Sequence, residues 1–166
     1  ADDDDILVVN GYAGTGKTTA VSAVISVLKE YKVKSVLLAP TGRAAKVLSG
    51  YTSHRTSTIH KQIYRQKSMD NGVGQFSLDF NRDNDTVYIV DEASLITIDS
   101  SSSSFGSGNL LEDLISYIRN GSDNKLILIG DNAQLPPISL DRSPALDVPY
   151  MEGYGPVEWV SMKSVV

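Results

Sequence analysis

Residues 11–18 read Gly-Tyr-Ala-Gly-Thr-Gly-Lys-Thr, and this stretch decides the fold. It matches the pattern G-x-x-x-x-G-K-[ST] and lies between an apolar run at residues 6–10 and an amphipathic helix predicted over residues 18–31. Glycines let the backbone approach phosphate oxygens closely, and the amides at a helix start attract anions. The pattern therefore predicts a phosphate-binding loop between a buried strand and a helix.

The residue types of this loop suggest individual roles in holding a nucleotide. Lys17 is expected to reach the β and γ phosphates, and the Thr18 hydroxyl is expected to ligate Mg²⁺. A glycine-rich turn with a solvated lysine is the simpler alternative, which the flanking strand and helix disfavour. The residues expected to contact ATP are Gly11, Ala13, Gly14, Thr15, Gly16, Lys17, Thr18 and Thr19.

Two carboxylates close a second apolar strand, where residues 90–94 read Val-Asp-Glu-Ala-Ser. A phosphate-loop enzyme needs an acid at this place to hold magnesium, and Asp91 takes that role. Glu92 is then the candidate that orients and deprotonates the attacking water. An Asp-Glu pair after a strand also fits a solvated helix start, and the phosphate loop is what favours the catalytic interpretation.

A third polar stretch follows the last predicted strand, where residues 130–137 read Gly-Asp-Asn-Ala-Gln-Leu-Pro-Pro. Ligands of parallel sheets bind at the carboxyl ends of the strands. Gln134 is therefore a candidate to contact the γ phosphate or the attacking water. The same residues fit an ordinary turn equally well, so the residues alone leave both interpretations open.

Strands and helices alternate along most of the chain. Asn109 and Glu112 stand at capping-box spacing before one predicted helix, and Gly121 stands at its end. The alternation predicts an α/β fold with a mainly parallel sheet and helices on both faces, in one domain over residues 1–140. Prolines and glycines predict a loop-rich margin over residues 141–166. Further strands are predicted at 33–39, 85–90 and 126–130, and further helices at 41–49, 57–66 and 111–118.

The amino-acid composition excludes several classes of protein. With no cysteine and two histidines in 166 residues, the chain has no disulfide framework and no thiolate metal site. It has no long apolar run and no visible secretory signal, so we expect a cytoplasmic protein without a membrane partner. The net charge is -5, yet no acidic residue lies between Glu30 and Asp70, where eight of the fifteen cations stand. Such a local concentration of positive charge favours the binding of a polyanion such as nucleic acid.

Five motifs in order resemble those of superfamily 1 DNA helicases. Three of them are the phosphate loop and the stretches at 90–94 and 130–137. The other two are residues 39–45 (Ala-Pro-Thr-Gly-Arg-Ala-Ala) and residues 58–60 (Thr-Ile-His). The branch containing the exonuclease V alpha subunit, RecD, is the most similar. The resemblance covers about residues 6–140 and implies ATP-driven 5′ to 3′ translocation on single-stranded DNA by the first of two RecA-like motor domains. It also implies work in DNA repair and recombination.

The resemblance implies DNA contacts within the basic stretch. Arg43 also fits a solvated position, and His60 also fits a buried, hydrogen-bonded histidine. Tyr51 and Tyr64 are candidates for stacking on bases, although we expect each of them to pack in the core or at its rim instead. The residues that match DNA-contacting motifs are Pro40, Thr41, Gly42, Arg43, Thr58 and His60.

The chain departs from the family in two respects. The family carries an adenine-recognising glutamine before the phosphate loop, whereas the first glutamine here is Gln62. No motif of the second motor domain appears, and the arginines that reach the γ phosphate belong largely to that domain, so we expect nucleotide binding with little hydrolysis. The implied partners are single-stranded DNA, the second motor domain and subunits of a nuclease complex. The alternatives are another P-loop ATPase or kinase, and a nucleotide-gated nucleic-acid-binding module without turnover.

Overall fold

The computed structural model describes residues 5–11, 17–52, 54–66, 76–96, 109–131, 151–155 and 157–162. Eight strands lie in these ranges. They are β1 (Ile6–Gly11), β2 (Lys34–Ala39), β3 (Thr56–Thr58), β4 (Tyr64–Gln66), β5 (Phe76–Leu78), β6 (Thr86–Val90), β7 (Lys125–Asp131) and β8 (Val157–Met162). The helices are α1 (Lys17–Glu30), α2 (Gly42–Thr52), α3 (Ile59–Ile63) and α4 (Leu110–Asn120), and a 3₁₀ turn spans Ala93–Leu95.

Six of these strands form one parallel sheet in the order β3-β2-β6-β7-β1-β8. Strand β7 lies between β1 and β6, with Asp131 opposite Gly11 and Leu128 opposite Val90. Strands β4 and β5 form a separate antiparallel pair. The predicted mainly parallel α/β sheet is therefore confirmed.

Both faces of the sheet are covered, because its central strands are apolar on both sides. On one face α1 and α2 bury a small cluster that includes Val21, Ile25 and Leu48. On the other face α3 and α4 bury a larger cluster that includes Ile59 and Leu114. None of the described helices is both long enough and apolar enough to span a bilayer.

The prediction of one helix over residues 57–66 is wrong. The backbone forms β3, then the five-residue α3, then β4. Thr56–Thr58 pairs with the open edge of β2, and this pairing outweighs the helical spacing of the residues that follow. The Thr58 side chain then accepts a hydrogen bond from the Lys61 amide and begins the short helix.

Strand β8 was not predicted. The loop-rich margin expected over residues 141–166 contains Val157–Met162, which pairs in parallel with β1. The glycines and prolines around it dominate the local composition, whereas β8 is fixed by pairing with a strand about 150 residues earlier. The division of the chain at residue 140 itself stays a prediction.

The structure confirms the predicted N-cap of α4 and shows a different role for the glycine at its C-terminus. The Asn109 side chain accepts a hydrogen bond from the Glu112 amide, as the spacing predicted. Gly121 ends the helix in an extended conformation, with φ -85° and ψ 179°, so left-handed geometry is not the reason for glycine. A Cβ at Gly121 would instead collide with the Asn124 side chain and the Asp83 carbonyl.

The Asn124 side chain forms hydrogen bonds with the backbone of three segments. Its side chain is buried, and its Oδ1 accepts from the Thr86 amide at 3.0 Å. Its Nδ2 donates to the Asp83 carbonyl at 2.9 Å and to the Ile118 carbonyl at 3.2 Å. One amide side chain thus satisfies backbone groups at the start of β6, at the end of α4 and in the segment before β6.

Asn124→Ala is expected to lower the free energy of unfolding by about 2 to 4 kcal/mol, because it leaves buried backbone groups without partners. Urea denaturation measures the change. The control is Asn120→Ala, since Asn120 is exposed at the end of α4, and its effect should stay within about 0.5 kcal/mol. Equal stability of the two variants would contradict this role for Asn124.

Candidate functional site

The predicted site residues follow the carboxyl ends of neighbouring parallel strands. Gly11 ends β1, Ala39 ends β2, Thr58 ends β3 and Asp91 follows β6. Because all these strands are parallel, their carboxyl ends meet at one edge of the sheet, where α/β proteins bind ligands. We call this the carboxyl edge.

The phosphate-binding loop is framed by β1 and α1. The backbone of Lys17, Thr18 and Thr19 forms the first turn of α1, a helix of 14 residues. Its amides and its positive dipole end therefore lie just beyond the loop, as phosphate binding requires. Four predicted nucleotide contacts, at residues 13–16, lie outside the described residues, and so does Gln134.

Asp91 is fixed by the neighbouring strand. Its amide donates a hydrogen bond of 3.1 Å to the Leu38 carbonyl, which extends the β6–β2 pairing past the end of β6. The Asp91 side chain is partly exposed at the carboxyl edge. A carboxylate oxygen at this place is the kind of ligand that Mg²⁺ prefers. Of the two predicted magnesium ligands, Asp91 therefore fits an ion at this edge, and the Thr18 side chain lies outside what the structure describes.

Glu92 adopts a left-handed backbone, with φ 55° and ψ 39°. Its carbonyl accepts the Leu95 amide at 3.0 Å, which closes the 3₁₀ turn that follows. A non-glycine residue in this region costs roughly 1–2 kcal/mol, and such strain concentrates at functional sites. The turn redirects the chain directly after Asp91. The adjacent residues Asp91 and Glu92 therefore differ in backbone conformation, since only Glu92 is left-handed.

The spacing of the strands sets the scale of the nucleotide site. Strands β1 and β6 are separated by β7, which is two steps of about 4.8 Å, or roughly 10 Å in all. A triphosphate with its magnesium ion is long enough to extend from the loop after β1 to Asp91. The sheet order is therefore compatible with one nucleotide that reaches from the end of β1 to Asp91.

Two of the predicted nucleotide-site residues and two of the predicted DNA-site residues line one cavity. A surface cavity of about 410 Å³ is lined by Asp91 and Glu92 on one side and by Thr41, Arg43 and residues of α2 on the other. Arg43 is exposed in the first turn of α2. The structure thus brings the carboxylates after β6 together with the segment after β2.

The segment between β2 and α2 leaves several groups open to a ligand. The Thr41 hydroxyl accepts a hydrogen bond from the Ala44 amide at 3.1 Å, and its own proton is still available for donation. A Cβ built at Gly42 meets nothing within 4 Å, so a ligand has room to approach this backbone. Pro40 is buried and shapes the turn from within.

His60 lies partly buried on α3. Desolvation by burial lowers its pKa below the ordinary value, so the imidazole is neutral at neutral pH and acts as a hydrogen-bonding group. Its ring lies 5.7 Å from the Tyr64 ring, between centroids. The Tyr64 hydroxyl donates a hydrogen bond of 2.5 Å to Asp113 of α4, which secures this segment to the larger core.

The two tyrosines considered for base stacking differ in the structure. Tyr64 is buried, and its predicted packing is confirmed. Tyr51 is 67% exposed, which excludes packing in the core and leaves packing at its rim or stacking on a base. Its place three residues after the buried Leu48 suggested the core-facing side of α2, but Tyr51 extends into the cavity beyond that core. Sequence spacing gives no signal for this difference.

The fold and the edge site together define a RecA-like P-loop α/β domain. Residues 1–145 match the family described as an AAA domain, and the chain belongs to that family. Over 136 residues it is 29% identical to the ATP-dependent RecD2 DNA helicase of Deinococcus radiodurans, covering 80% of this chain. It is also 29% identical over 150 residues to the RecBCD enzyme subunit RecD of Haemophilus influenzae, covering 77% of this chain.

A solved structure supports the fold. Pif1 from Bacteroides sp. in complex with ADP-AlF4 superimposes with a TM-score of 0.56 at 17% identity, covering 98% of this chain and 39% of that one. The chain spans 16% of the RecD2 relative and 21% of the RecD relative. These matches confirm the predicted resemblance to RecD-type helicases and the predicted RecA-like fold.

Glu92→Gly is expected to be more stable than Glu92→Ala by about 1 kcal/mol. Both variants remove the same side-chain contacts, but only alanine keeps the left-handed penalty. Thermal or urea unfolding measures the difference. The matched comparison is Lys46→Gly against Lys46→Ala in the exposed middle of α2, where alanine should be the more stable residue. Alanine being more stable at both positions would contradict the strained conformation of Glu92.

Proposed function

We propose that the chain is the ATP-binding first motor domain of a DNA helicase that translocates 5′ to 3′ on single-stranded DNA. The observation that carries the proposal is the shared cavity at the carboxyl edge. Asp91 and Glu92 line it from the predicted nucleotide side, and Thr41 and Arg43 line it from the predicted DNA side. A motor needs such proximity, because nucleotide state and DNA grip must change together.

In this proposal the nucleotide is ATP with Mg²⁺. The loop amides and Lys17 hold the phosphates, while Thr18 and Asp91 supply oxygens to the ion. Glu92 accepts the proton of the attacking water, and Gln134 contacts the γ phosphate or that water. The remaining loop contacts come from Gly11 and residues 13–16, with Thr19 beside them.

In the same proposal DNA lies over the ends of β2 and β3. Arg43 neutralises a phosphate, the hydroxyls of Thr41 and Thr58 donate hydrogen bonds to phosphate oxygens, and the backbone at Gly42 approaches the strand. His60 contributes a neutral N–H donor. Pro40, being buried, contributes through the shape of the turn rather than by direct contact.

The proposal extends to the arrangement of the whole protein. Residues 1–140 form most of the motor domain, and residues 141–166, which add β8 to the edge of its sheet, lead toward a second motor domain whose arginines complete the site. An arginine of that kind contributes about 10³- to 10⁵-fold in rate in related enzymes, so residues 1–166 alone should bind ATP and hydrolyse it slowly. Cytoplasmic work in DNA repair or recombination, with or without nuclease subunits, fits this activity.

Two substitutions in the full-length protein test the nucleotide roles. Lys17→Ala should weaken ATP affinity about 10- to 100-fold, because a charge-assisted contact to phosphate is lost. Glu92→Gln should keep ATP affinity and lower kcat about 10²- to 10⁴-fold, because the general base is lost. Equilibrium nucleotide binding and DNA-stimulated ATPase rates separate the two effects.

Lys29→Ala is the control for Lys17→Ala, since Lys29 is exposed in the last turn of the same helix. It should match the wild type in both assays. Wild-type turnover in Glu92→Gln would overturn the role of Glu92, and phosphorylation of a small acceptor by the wild type would indicate a kinase instead.

A separate substitution tests the DNA side. Arg43→Ala should weaken binding to single-stranded oligothymidylate and reduce the slope of log K against log salt by about 0.7, the value for one lost phosphate contact. Fluorescence anisotropy between 50 and 200 mM salt measures both. Arg82→Ala is the matched control, because Arg82 is exposed before β6 at the opposite edge of the sheet. Equal slopes for the two variants would remove Arg43 from the DNA site.

A further inference from the structure

The cavity at the carboxyl edge has an apolar part that neither the nucleotide roles nor the phosphate contacts use. Three of its lining side chains are large, apolar and open to solvent: Tyr51 is 67% exposed, Val47 51% and Leu95 39%. With Arg43 at its margin, we call this part the Tyr51 groove. It lies between α2 and the 3₁₀ turn after Glu92.

One face of α2 forms a wall of the groove. Ala44, Val47, Leu48 and Tyr51 follow the spacing i, i+3, i+4, i+7, which places them along one side of a helix. Leu48 is buried in the core beneath, while Val47 and Tyr51 stay exposed. The helix is therefore fixed to the sheet at its centre and presents an aliphatic and an aromatic side chain beside that anchor.

Adjacent exposed apolar side chains of this size mark a binding surface more often than isolated ones do. The aromatic ring is the largest exposed surface in the groove, and it lies on the same edge as the predicted DNA residues. Flat aromatic rings on rigid helices are what single-strand-binding proteins use to stack nucleobases.

We propose that the Tyr51 groove binds nucleobases of single-stranded DNA, with a base stacked on the Tyr51 ring and the adjoining phosphate on Arg43. This inference rests on the proposed function and names a subsite within it. Val47 and Leu95 contact the edges of the stacked base. The site takes bases of any sequence, because every base offers a flat apolar face.

The charges around the groove favour nucleic acid as its occupant. Helix α2 carries Arg43 and Lys46 and no acidic residue. A strand of nucleic acid combines anionic phosphates with apolar bases, and the groove combines cations with apolar side chains in the same way.

The carboxylates in the cavity fix the orientation of that strand. Asp91 and Glu92 line the inner side and repel DNA phosphates, which lack the magnesium ion that accompanies the proposed nucleotide, whereas an uncharged base is tolerated beside them. Phosphates are therefore directed outward to Arg43, and bases are directed inward to Tyr51. The same arrangement keeps DNA phosphates away from the magnesium ligands.

The test compares Tyr51→Ala and Tyr51→Phe in the full-length protein, with oligothymidylate as the probe. Tyr51→Ala should weaken binding about 10- to 100-fold with an unchanged salt slope, because a stacking contact and no phosphate contact is lost. Tyr51→Phe keeps the ring and should bind like the wild type. Tyr31→Ala is the control, since Tyr31 is 75% exposed just after α1, near the opposite edge of the sheet.

A second probe isolates the base. An abasic strand of the same length has phosphates without bases, so Tyr51→Ala and the wild type should bind it with equal affinity. Loss of affinity for thymidylate but not for the abasic strand supports the inference. Equal loss on both strands, wild-type affinity of Tyr51→Ala for thymidylate, or a change in oligomeric state caused by Tyr51→Ala would overturn it.

The wild type separates this inference from the proposed function. Absence of any DNA binding by the wild type would refute the helicase proposal itself. DNA binding that depends on Arg43 but not on Tyr51 would refute only the stacking subsite and leave the proposed function standing.

Discussion

The hydrogen bonding of β7 between β1 and β6 is the constraint on which the site depends. It holds the strand before the phosphate loop and the strand before Asp91 two strand spacings apart, and it keeps both carboxyl ends at the same edge. The register of Ile6–Gly11 against Lys125–Asp131 leaves little freedom to slip, since apolar residues of both strands pack into the core on each face of the sheet. A site built on buried parallel strands is correspondingly rigid.

The two faces of the sheet make different contributions to this edge. On one face α1 starts at the phosphate loop and α2 starts at Thr41, so two helix beginnings lie side by side above one small core. On the other face α3 and α4 form the larger core, and the Tyr64–Asp113 hydrogen bond secures the segment with Thr58 and His60 to it. The two predicted sites therefore move only if the packed helices that carry them move as well, and such linked movement is what the proposed motor would need for coupling.

The sequence predicted the parts of the fold that local pattern specifies. The phosphate loop, the central strands and the N-cap at Asn109 follow from residues within about ten positions of one another. The failures have a non-local cause. Strands β3 and β8 exist because they pair with β2 and β1, and residues 57–66 and 157–162 show no comparable signal of their own. Tyr51 has the spacing of a core residue and is nevertheless exposed, since helical periodicity identifies a side of the helix but not where the core beneath it ends.

Two features of the carboxyl edge run against stability, and both lie where the predicted ligands meet. Glu92 has a left-handed backbone that glycine would adopt at lower cost, and Tyr51 exposes an aromatic ring that burial would favour. The other non-glycine residues of the described chain with a left-handed backbone, Lys32, Asp85 and Asp123, lie in the turns before β2, β6 and β7, at the opposite edge of the sheet. Conflict between local preference and structure is expected where function, rather than folding, selects the residue. Glu92 and Tyr51 line the same cavity, so the strained backbone and the exposed ring lie at the place where the proposed nucleotide and DNA sites would meet.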